Sequence, residues 1–305
     1  MNQQSLRAVI DLGTNTFHLL IARVSPAGGI EAVYRERRFV KLAAEGIATM
    51  GAAPFARGMA ALHHFREILT EYGVTNVLAF GTAALRTASN GPEFVATALR
   101  ETEIAIQLIP GDEEARYITR GVLGALPPLE ERILIMDIGG GSTEFIIADA
   151  AGVYWRQSFP LGVSVLYNAF HGSDPLSAAD IARLEDFLAE QTRPLANALA
   201  RHPAHHLAGA AGTFDVLANL LNDPAAPPHP TSHRLSLTGL VDLQNQIINS
   251  TLAERLATPG IPPERADMIV MAMLLIRFVV RLAGIERITV SDWAMKEGIL
   301  LLANA

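Results

Sequence analysis

Two short stretches of the chain place an acid, glycine and hydroxyl residues in an order that suits phosphate binding. The second stretch, DIGGGST at residues 137–143, ends an apolar run with Asp137 and continues with three glycines. The first, DLGTNT at residues 11–16, has the same order with one glycine. Backbone amides at glycines can point at phosphate oxygens, and hydroxyl groups add further donors. The predicted phosphate-binding residues are Gly13, Thr14, Asn15 and Thr16 in the first loop, and Gly139, Gly140, Gly141, Ser142 and Thr143 in the second.

The aspartate that opens each stretch is a candidate metal ligand. Asp11 and Asp137 offer hard oxygen atoms, and Mg²⁺ usually binds through one or two carboxylates together with substrate phosphates. The expected cofactor is therefore Mg²⁺ or another divalent cation. Taken alone, each stretch could equally be a tight hairpin turn that binds nothing. The occurrence of two such turns, each with an acid at the strand end, favours phosphate and metal.

The two stretches belong to an internal repeat. Residues 9–24 align with residues 135–150 without a gap, so that Asp11 falls on Asp137 and Gly13 on Gly139. Strand and helix patterns alternate after each copy, which indicates an α/β fold. The duplication predicts two similar α/β domains, each opening on a β-hairpin. In the second half the pattern also predicts one long helix from about residue 177 to 200, capped by Ser177.

Composition and charge limit the classes of protein that the chain can belong to. Half of the 305 residues are apolar, there is no cysteine, and the net charge is −7. This excludes a disulfide framework and argues against a general nucleic-acid binder. The most apolar window, residues 268–280, is interrupted by Arg277 and indicates a core helix rather than a membrane span. With no signal-peptide pattern at the N-terminus, we expect a soluble, cytoplasmic protein with no membrane partner.

Six segments, in order along the chain, resemble the exopolyphosphatase and guanosine pentaphosphate phosphohydrolase family (Ppx/GppA). They are VIDLGTNTFHLL, FGTAALRTASN, IPGDEEARYITRGV, LIMDIGGGSTEF, LAGAAGTFDVLA and VSDWAMKEG. The resemblance implies two ribonuclease-H-like domains of the actin and sugar kinase superfamily around a central phosphate-binding cleft. It further implies a first domain of residues 1–122 with a returning helix at 293–305, and a second domain of residues 123–292. The length matches a short, two-domain form of the family.

The same resemblance suggests roles for individual residues. It implies that Glu114 is the catalytic base and that Glu144 either binds the metal or positions water. Arg86 resembles the phosphate-binding arginine of the family, and Gly212 with Thr213 resembles a third phosphate-binding turn. Each has a plainer alternative: a solvated helix face for Glu114, a solvent-facing strand position for Glu144, a surface position for Arg86, and a simple strand-to-helix connection for Gly212.

The implied activity is removal of the terminal phosphate from a phosphoanhydride chain. The expected substrates are inorganic polyphosphate, preferably short, and guanosine pentaphosphate. Two alternatives stay open at this stage: an ATP-dependent kinase of the same superfamily, and a sensor of phosphate or nucleotide without catalysis. The expected partners are therefore small or short-polymer phosphoanhydrides and no nucleic acid, and a homodimer is left open.

Overall fold

The chain divides into two compact units. The computed structural model describes residues 6–25, 29–221, 223 and 226–303. The first unit comprises Met1–Gly121, Gly139–Gly141 and Ala294–Ala305, and the second comprises Val122–Ile138 and Ser142–Trp293. The three consecutive glycines therefore group with the first unit, although the strands on either side of them belong to the second.

Eleven strands and twelve helices are found in the described part of the chain. The strands are β1 (Arg7–Leu12), β2 (Thr16–Val24), β3 (Ile30–Phe39), β4 (Asn76–Gly81), β5 (Ile106–Leu108), β6 (Ile133–Ile138), β7 (Thr143–Asp149), β8 (Gly152–Phe159), β9 (His206–Ala210), β10 (Ser232–Leu235) and β11 (Arg287–Ser291). The helices are α1 (Ala52–Glu71), α2 (Ala83–Thr87), α3 (Gly91–Thr102), α4 (Gly111–Ala125), α5 (Val163–Phe170), α6 (Ala178–Gln191), α7 (Arg193–Arg201), α8 (Gly212–Leu221), α9 (Leu237–Ile248), α10 (Leu252–Ala257), α11 (Ile269–Ala283) and α12 (Met295–Leu302).

The sheets of the two units share the arrangement of five strands, to which the second sheet adds β10 at one edge. The first has the order β3-β2-β1-β4-β5, and the second has the order β10-β11-β9-β6-β7-β8. In both, an antiparallel hairpin is followed by a strand that pairs in parallel with the first strand of the hairpin. The register also repeats, since Asp11 pairs with His18 and Asp137 pairs with Glu144. The predicted fold class, with two ribonuclease-H-like α/β domains, is confirmed.

Each unit has its own hydrophobic core, and the hairpin strands supply much of it. In the first unit, alternate residues of β1 and β2 pack against α1 and α3, with Phe17, Phe65 and Phe94 fully buried. In the second unit, β6 and β7 are buried along almost their whole length, as expected for strands covered on both faces. Burial of the hairpins holds the turns at their ends in fixed positions.

The prediction of one long helix over residues 177–200 is wrong. The N-terminal cap is as expected, because Ser177 Oγ accepts a hydrogen bond of 3.1 Å from the backbone amide of Asp180. The helix nevertheless stops at Gln191, and a second helix starts after Thr192. Pro194 is the physical reason, because a proline inside a helix lacks the amide donor and clashes with the preceding turn. It is tolerated in the first turn of α7.

The apolar window at residues 268–280 lies within a buried helix of the second unit. Most of the side chains of α11 are buried, as the interpretation of this window as a core helix requires. Its two arginines, Arg277 and Arg281, both form ion pairs with Glu185 on α6. Within the described residues, no helix combines the length and the apolar character that crossing a membrane requires.

His206, at the start of β9, should make the stability of the second unit depend on pH. Burial, together with the charge of Arg234, lowers the pKa of His206 to about 4. Glu131 lies 3.5 Å from Nδ1, but it is half exposed and also pairs with Arg287, so burial outweighs it. The unfolded chain takes up the proton near pH 6.5 and the folded one near pH 4. The free energy of unfolding should therefore fall by about 2–3 kcal/mol as the pH drops through this window.

Urea denaturation at pH 7 and at pH 4.5 measures this effect. The matched variant is His206→Gln, which can still bond to the Thr289 hydroxyl that His206 contacts at 2.9 Å. The variant should lose stability less steeply with falling pH than the wild type. Parallel curves for the two proteins would show that His206 is protonated in the folded state.

Candidate functional site

The first predicted loop is a tight turn at the end of β1. The amide of Gly13 donates to the carbonyl oxygen of Thr16 at 3.1 Å, which closes the turn. The carbonyl oxygens of Thr14 and Asn15 accept hydrogen bonds from the backbone amides of residues 40–42. The carbonyls of the turn thus point toward that segment, and the turn is rigid before any ligand arrives.

The three glycines at residues 139–141 pack against this turn, within the first unit. A Cβ atom placed on Gly141 would lie 2.6 Å from Thr14 Oγ1 and 2.8 Å from Ala83 Cβ. One placed on Gly140 would lie 2.8 Å from the side-chain amide of Asn15. The sequence suggested that glycine is needed here so that a ligand can approach. The structure adds a second reason, since the first loop already occupies the space that a side chain would need.

The Thr14 hydroxyl is the donor that this packing leaves unused. Thr14 is 3% exposed, and its Oγ1 atom is buried without a hydrogen-bond partner. A buried polar atom without a partner loses the free energy of its hydration, and such atoms are uncommon in folded proteins. A ligand oxygen at the turn would give this hydroxyl a partner.

Arg86 and Glu114 come together in the first unit. Arg86 lies in α2 and Glu114 in the first turn of α4, and Arg86 Nη1 is 3.5 Å from Glu114 Oε2. The same Nη1 atom donates a 2.6 Å hydrogen bond to the carbonyl oxygen of Ile109, just before α4. Arg86 is therefore fixed to the segment that carries Glu114. Its remaining donors can serve a phosphate.

The two adjacent acids of α4 have different surroundings. Glu113 accepts hydrogen bonds from the Tyr117 hydroxyl at 2.8 Å and from Arg116 at 3.3 Å. Glu114 is buried, with 8% of its surface exposed, and faces Arg86. Glu113 therefore matches the solvated helix face that was the alternative for this segment. Glu114 occupies a protected position in which a carboxylate can act on a bound water.

Asp11, the predicted metal ligand of the first unit, lies close to the returning helix α12. Burial raises the pKa of Asp11 to about 6, while the charge of Lys296 lowers it and that of Glu297 raises it. A carboxylate that loses hydration in this way is stabilised by any cation that reaches it. The family resemblance placed the helix at 293–305 in the first domain, but no local pattern indicated that Lys296 and Glu297 lie near Asp11.

In the second unit, Asp137 and Glu144 are direct cross-strand neighbours on β6 and β7. Both are buried, Glu144 with 1% exposure, and Ser158 on β8 donates a 2.6 Å hydrogen bond to Glu144 Oε1. Glu144 is therefore not the solvent-facing strand residue of the alternative interpretation. Ser158 is a supporting residue that the sequence did not indicate, and only the pairing of β7 with β8 identifies it.

These carboxylates fit a magnesium ion that takes some of its ligands from the protein and the others from the substrate phosphates and water. No group of three or more acidic, histidine or cysteine side chains suited to a metal occurs among the residues that the structure describes. A complete protein cage is not what Mg²⁺ requires, because it usually keeps several waters and binds one or two carboxylates plus phosphate. Two adjacent buried carboxylates at a strand end, Asp137 and Glu144, meet that requirement.

The two hydroxyl residues after the triple glycine, Ser142 and Thr143, are both buried. The Thr143 hydroxyl donates a 2.9 Å hydrogen bond to the carbonyl oxygen of Leu161. It supports the fold, so the prediction that it is a phosphate donor is wrong. Ser142 is buried beside it at the start of β7.

Gly212 and Thr213 form the first turn of α8, directly after β9. The guanidinium of Arg265 lies against Gly212, since a Cβ atom on this glycine would be about 2 Å from its Nη1, Nη2 and Cζ atoms. A helix N-terminus attracts anions, and an adjacent guanidinium strengthens that attraction. Arg265 was missed in the sequence analysis, because nothing local links it to a turn some fifty residues earlier.

The chain resembles known proteins in both sequence and fold. The sequence matches the Ppx/GppA phosphatase family over residues 20–303. An exopolyphosphatase from Cytophaga hutchinsonii is 37% identical, with a TM-score of 0.92 and 98% of each chain covered. An exopolyphosphatase-like protein is 25% identical, with a TM-score of 0.87 over 98% of this chain and 97% of the other. The Ppx/GppA family member of Aquifex aeolicus shares the fold at 23% identity, with a TM-score of 0.78 over 98% of this chain and 97% of the other.

Proposed function

Because the chain belongs to the Ppx/GppA phosphatase family, we propose that it releases the terminal phosphate of a phosphoanhydride chain through a water activated by Glu114. The chain is a phosphohydrolase enzyme, which argues against a kinase and against a sensor without catalysis. The observation that carries the proposal is the environment of Glu114. This carboxylate is buried beside Arg86, whereas the adjacent Glu113 is engaged by Tyr117 and Arg116.

Each of the site residues of the first unit has a separate role in the proposed reaction. Glu114 orients a water molecule and takes its proton as the oxygen attacks the terminal phosphorus. Arg86 lies beside Glu114 and offers its remaining donors to the phosphate oxygens. The Thr14 hydroxyl and the backbone amides of the glycine turns bind the oxygens of the transferred group. The linking oxygen leaves with the shortened chain.

Asp137 and Glu144 of the second unit are proposed to hold a divalent cation, and Asp11 of the first unit is a further proposed cation ligand. When bound, Mg²⁺ neutralises phosphate charge and so favours attack by water. Ser158 holds Glu144 in a single orientation, and the raised pKa of Asp11 reflects a carboxylate that a cation would stabilise in its charged form. In the second unit, Gly212, Thr213 and Arg265 are proposed to bind an anionic group.

The proposed substrate is a short inorganic polyphosphate, with guanosine pentaphosphate as a second substrate. Backbone amides, a hydroxyl and guanidinium groups recognise anionic oxygens rather than the group attached to them. A run of linked phosphates is therefore bound better than a single phosphate ester. The Cytophaga hutchinsonii protein, at 37% identity, is an exopolyphosphatase, which supports polyphosphate as a substrate.

A phosphate-release panel tests the proposed substrate. Polyphosphates of several lengths, guanosine pentaphosphate, ATP and an aryl phosphate are compared with and without Mg²⁺. We expect the short polyphosphates to be cleaved fastest, one phosphate at a time, with intermediates of every length visible on a gel. Rapid cleavage of the aryl phosphate without release from any polyphosphate would overturn the proposal.

Arg86→Ala should lower kcat as well as raise KM. Arg86 is placed to bind the substrate, and it is also 3.5 Å from the base, so its loss affects both steps. We expect each constant to change by about 10-fold, the typical value of a hydrogen bond to a charged group. Arg86→Lys keeps the charge without the planar fork. Its kcat and KM should lie between those of the wild type and those of Arg86→Ala. A raised KM with an unchanged kcat would limit Arg86 to substrate binding.

A further inference from the structure

Helix α12 meets helix α4 at two glycines, with backbone against backbone. A Cβ atom placed on Gly298 would lie 1.8 Å from the carbonyl oxygen of Tyr117. One placed on Gly121 would lie 1.9 Å from the carbonyl oxygen of Ala294. The opposing atoms belong to the backbone and cannot rotate away, as the end of a side chain can. Glycine is therefore required at both positions, although it is the poorer helix former.

This contact lies on the face of α4 that carries Glu114. Positions 114, 117 and 121 are separated by three and four residues, which places them on one side of an α-helix. All three are buried, in contrast to the exposed positions 112, 116 and 120. A shift of α4 away from α12 would therefore move Glu114 directly.

Helix α12 is also anchored to the strand that leads into the first phosphate-binding turn. It packs against β1 and β2, and Arg7 on β1 donates a 3.1 Å hydrogen bond to the carbonyl oxygen of Ala303. At the other end of α12, Glu297 is fully buried and accepts a 3.1 Å hydrogen bond from the backbone amide of Ala294. Helix α12 thus touches β1, which ends beside the turn, and α4, which carries the base.

We propose that Gly298 is a positioning residue for Glu114. The close approach of α12 and α4 sets the distance between Glu114 on α4 and the phosphate-binding turn after β1. A methyl group at position 298 would need α4 to move by about 1 Å or more before an ordinary contact distance is restored. The inference rests on the proposed role of Glu114 as the base that activates water.

Gly298→Ala should lower kcat by about 10- to 100-fold, the loss typical of a 1 Å misplacement, while KM stays nearly constant. Alanine favours the helix, so the loss cannot come from poorer helix formation. Gly121→Ala, which alters the same contact from the α4 side, should act in the same way. If Gly298→Ala does not fold, Gly121→Ala is measured in its place.

The matched control is Gly58→Ala. Gly58 is a buried glycine of α1, where a Cβ atom would meet the ring of Phe94 at 2.8 Å, far along the chain from α4 and α12. This variant should lose thermal stability and keep its kcat. All variants are assayed for phosphate release from short polyphosphate, well below the unfolding temperature of each.

A double-mutant cycle distinguishes misplacement of Glu114 from a general disturbance of the structure. In the Glu114→Gln background there is no base left to displace, so adding Gly298→Ala should change kcat by less than about 2-fold. An equal loss in both backgrounds, or a wild-type kcat for Gly298→Ala beside an inactive Glu114→Gln, would overturn the positioning role. Full activity of Glu114→Gln would instead overturn the proposed function.

Discussion

Glu114→Gln is expected to lower kcat by about 10²–10⁴-fold while substrate affinity stays nearly unchanged. The amide keeps the size and shape of the carboxylate in its buried position, but it cannot accept a proton from water. It can also keep its contact with Arg86, whose Nη1 atom lies 3.5 Å from Glu114 Oε2, so the surrounding structure should persist. The measurements are steady-state phosphate release from short polyphosphate and substrate binding by calorimetry.

Glu113→Gln is the matched control for this experiment. The two acids are neighbours on the same helix, but the Glu113 carboxylate is bonded to Tyr117 and Arg116 near the surface. Its replacement should change kcat by less than about 3-fold, as is usual for an exposed polar network. If Glu114→Gln kept more than about a tenth of the wild-type kcat, well short of the loss of a base, Glu114 would not be the base.

Asp137→Ala is expected to raise the Mg²⁺ concentration for half-maximal activity by at least about 10-fold, or to abolish activity at every concentration. Asp137 and Glu144 face each other across β6 and β7, and removing one leaves the ion with a single protein carboxylate there. Glu144 remains held by Ser158, so its orientation should not change. Titration of activity against Mg²⁺, together with calorimetric binding of Mg²⁺ alone, measures the effect.

Asp149→Asn is the control for the metal prediction. Asp149 ends β7, the strand that carries Glu144, but its carboxylate accepts a 2.8 Å hydrogen bond from the backbone amide of Ala151 and pairs with Arg132. Its replacement should leave the Mg²⁺ dependence unchanged. An unaltered Mg²⁺ curve for Asp137→Ala would mean that this aspartate only supports its turn.

The features that could be predicted from the sequence are those that repeat locally or resemble known motifs. The alignment of Asp11 with Asp137 led to two hairpins with the same register, because strand alternation and turn residues act over a few positions. The core helix in this region follows from the apolar run at residues 268–276, which ends at Arg277. The helix break at Thr192 could also have been predicted from the sequence, because Pro194 cannot lie in the middle of a helix.

Only the tertiary structure decided which of the candidate groups have partners and which are placed for chemistry. Thr143 and Ser142 are both hydroxyl residues after the glycines, yet Thr143 donates to Leu161 and is unavailable to a ligand. Glu113 and Glu114 are adjacent acids, and their burial and bonding differ because the turn of the helix points them in different directions.

The contacts that the sequence could not reveal join residues far apart in the chain. Arg265 lies on Gly212, Ser158 holds Glu144, and Gly298 of α12 meets Tyr117 of α4. Side-chain periodicity determines which face of an element is buried, and that information is contained in neighbouring residues. The partner on that face depends on how sheets and helices pack. Packing arises from the shapes of whole elements, so it is decided only in the folded protein.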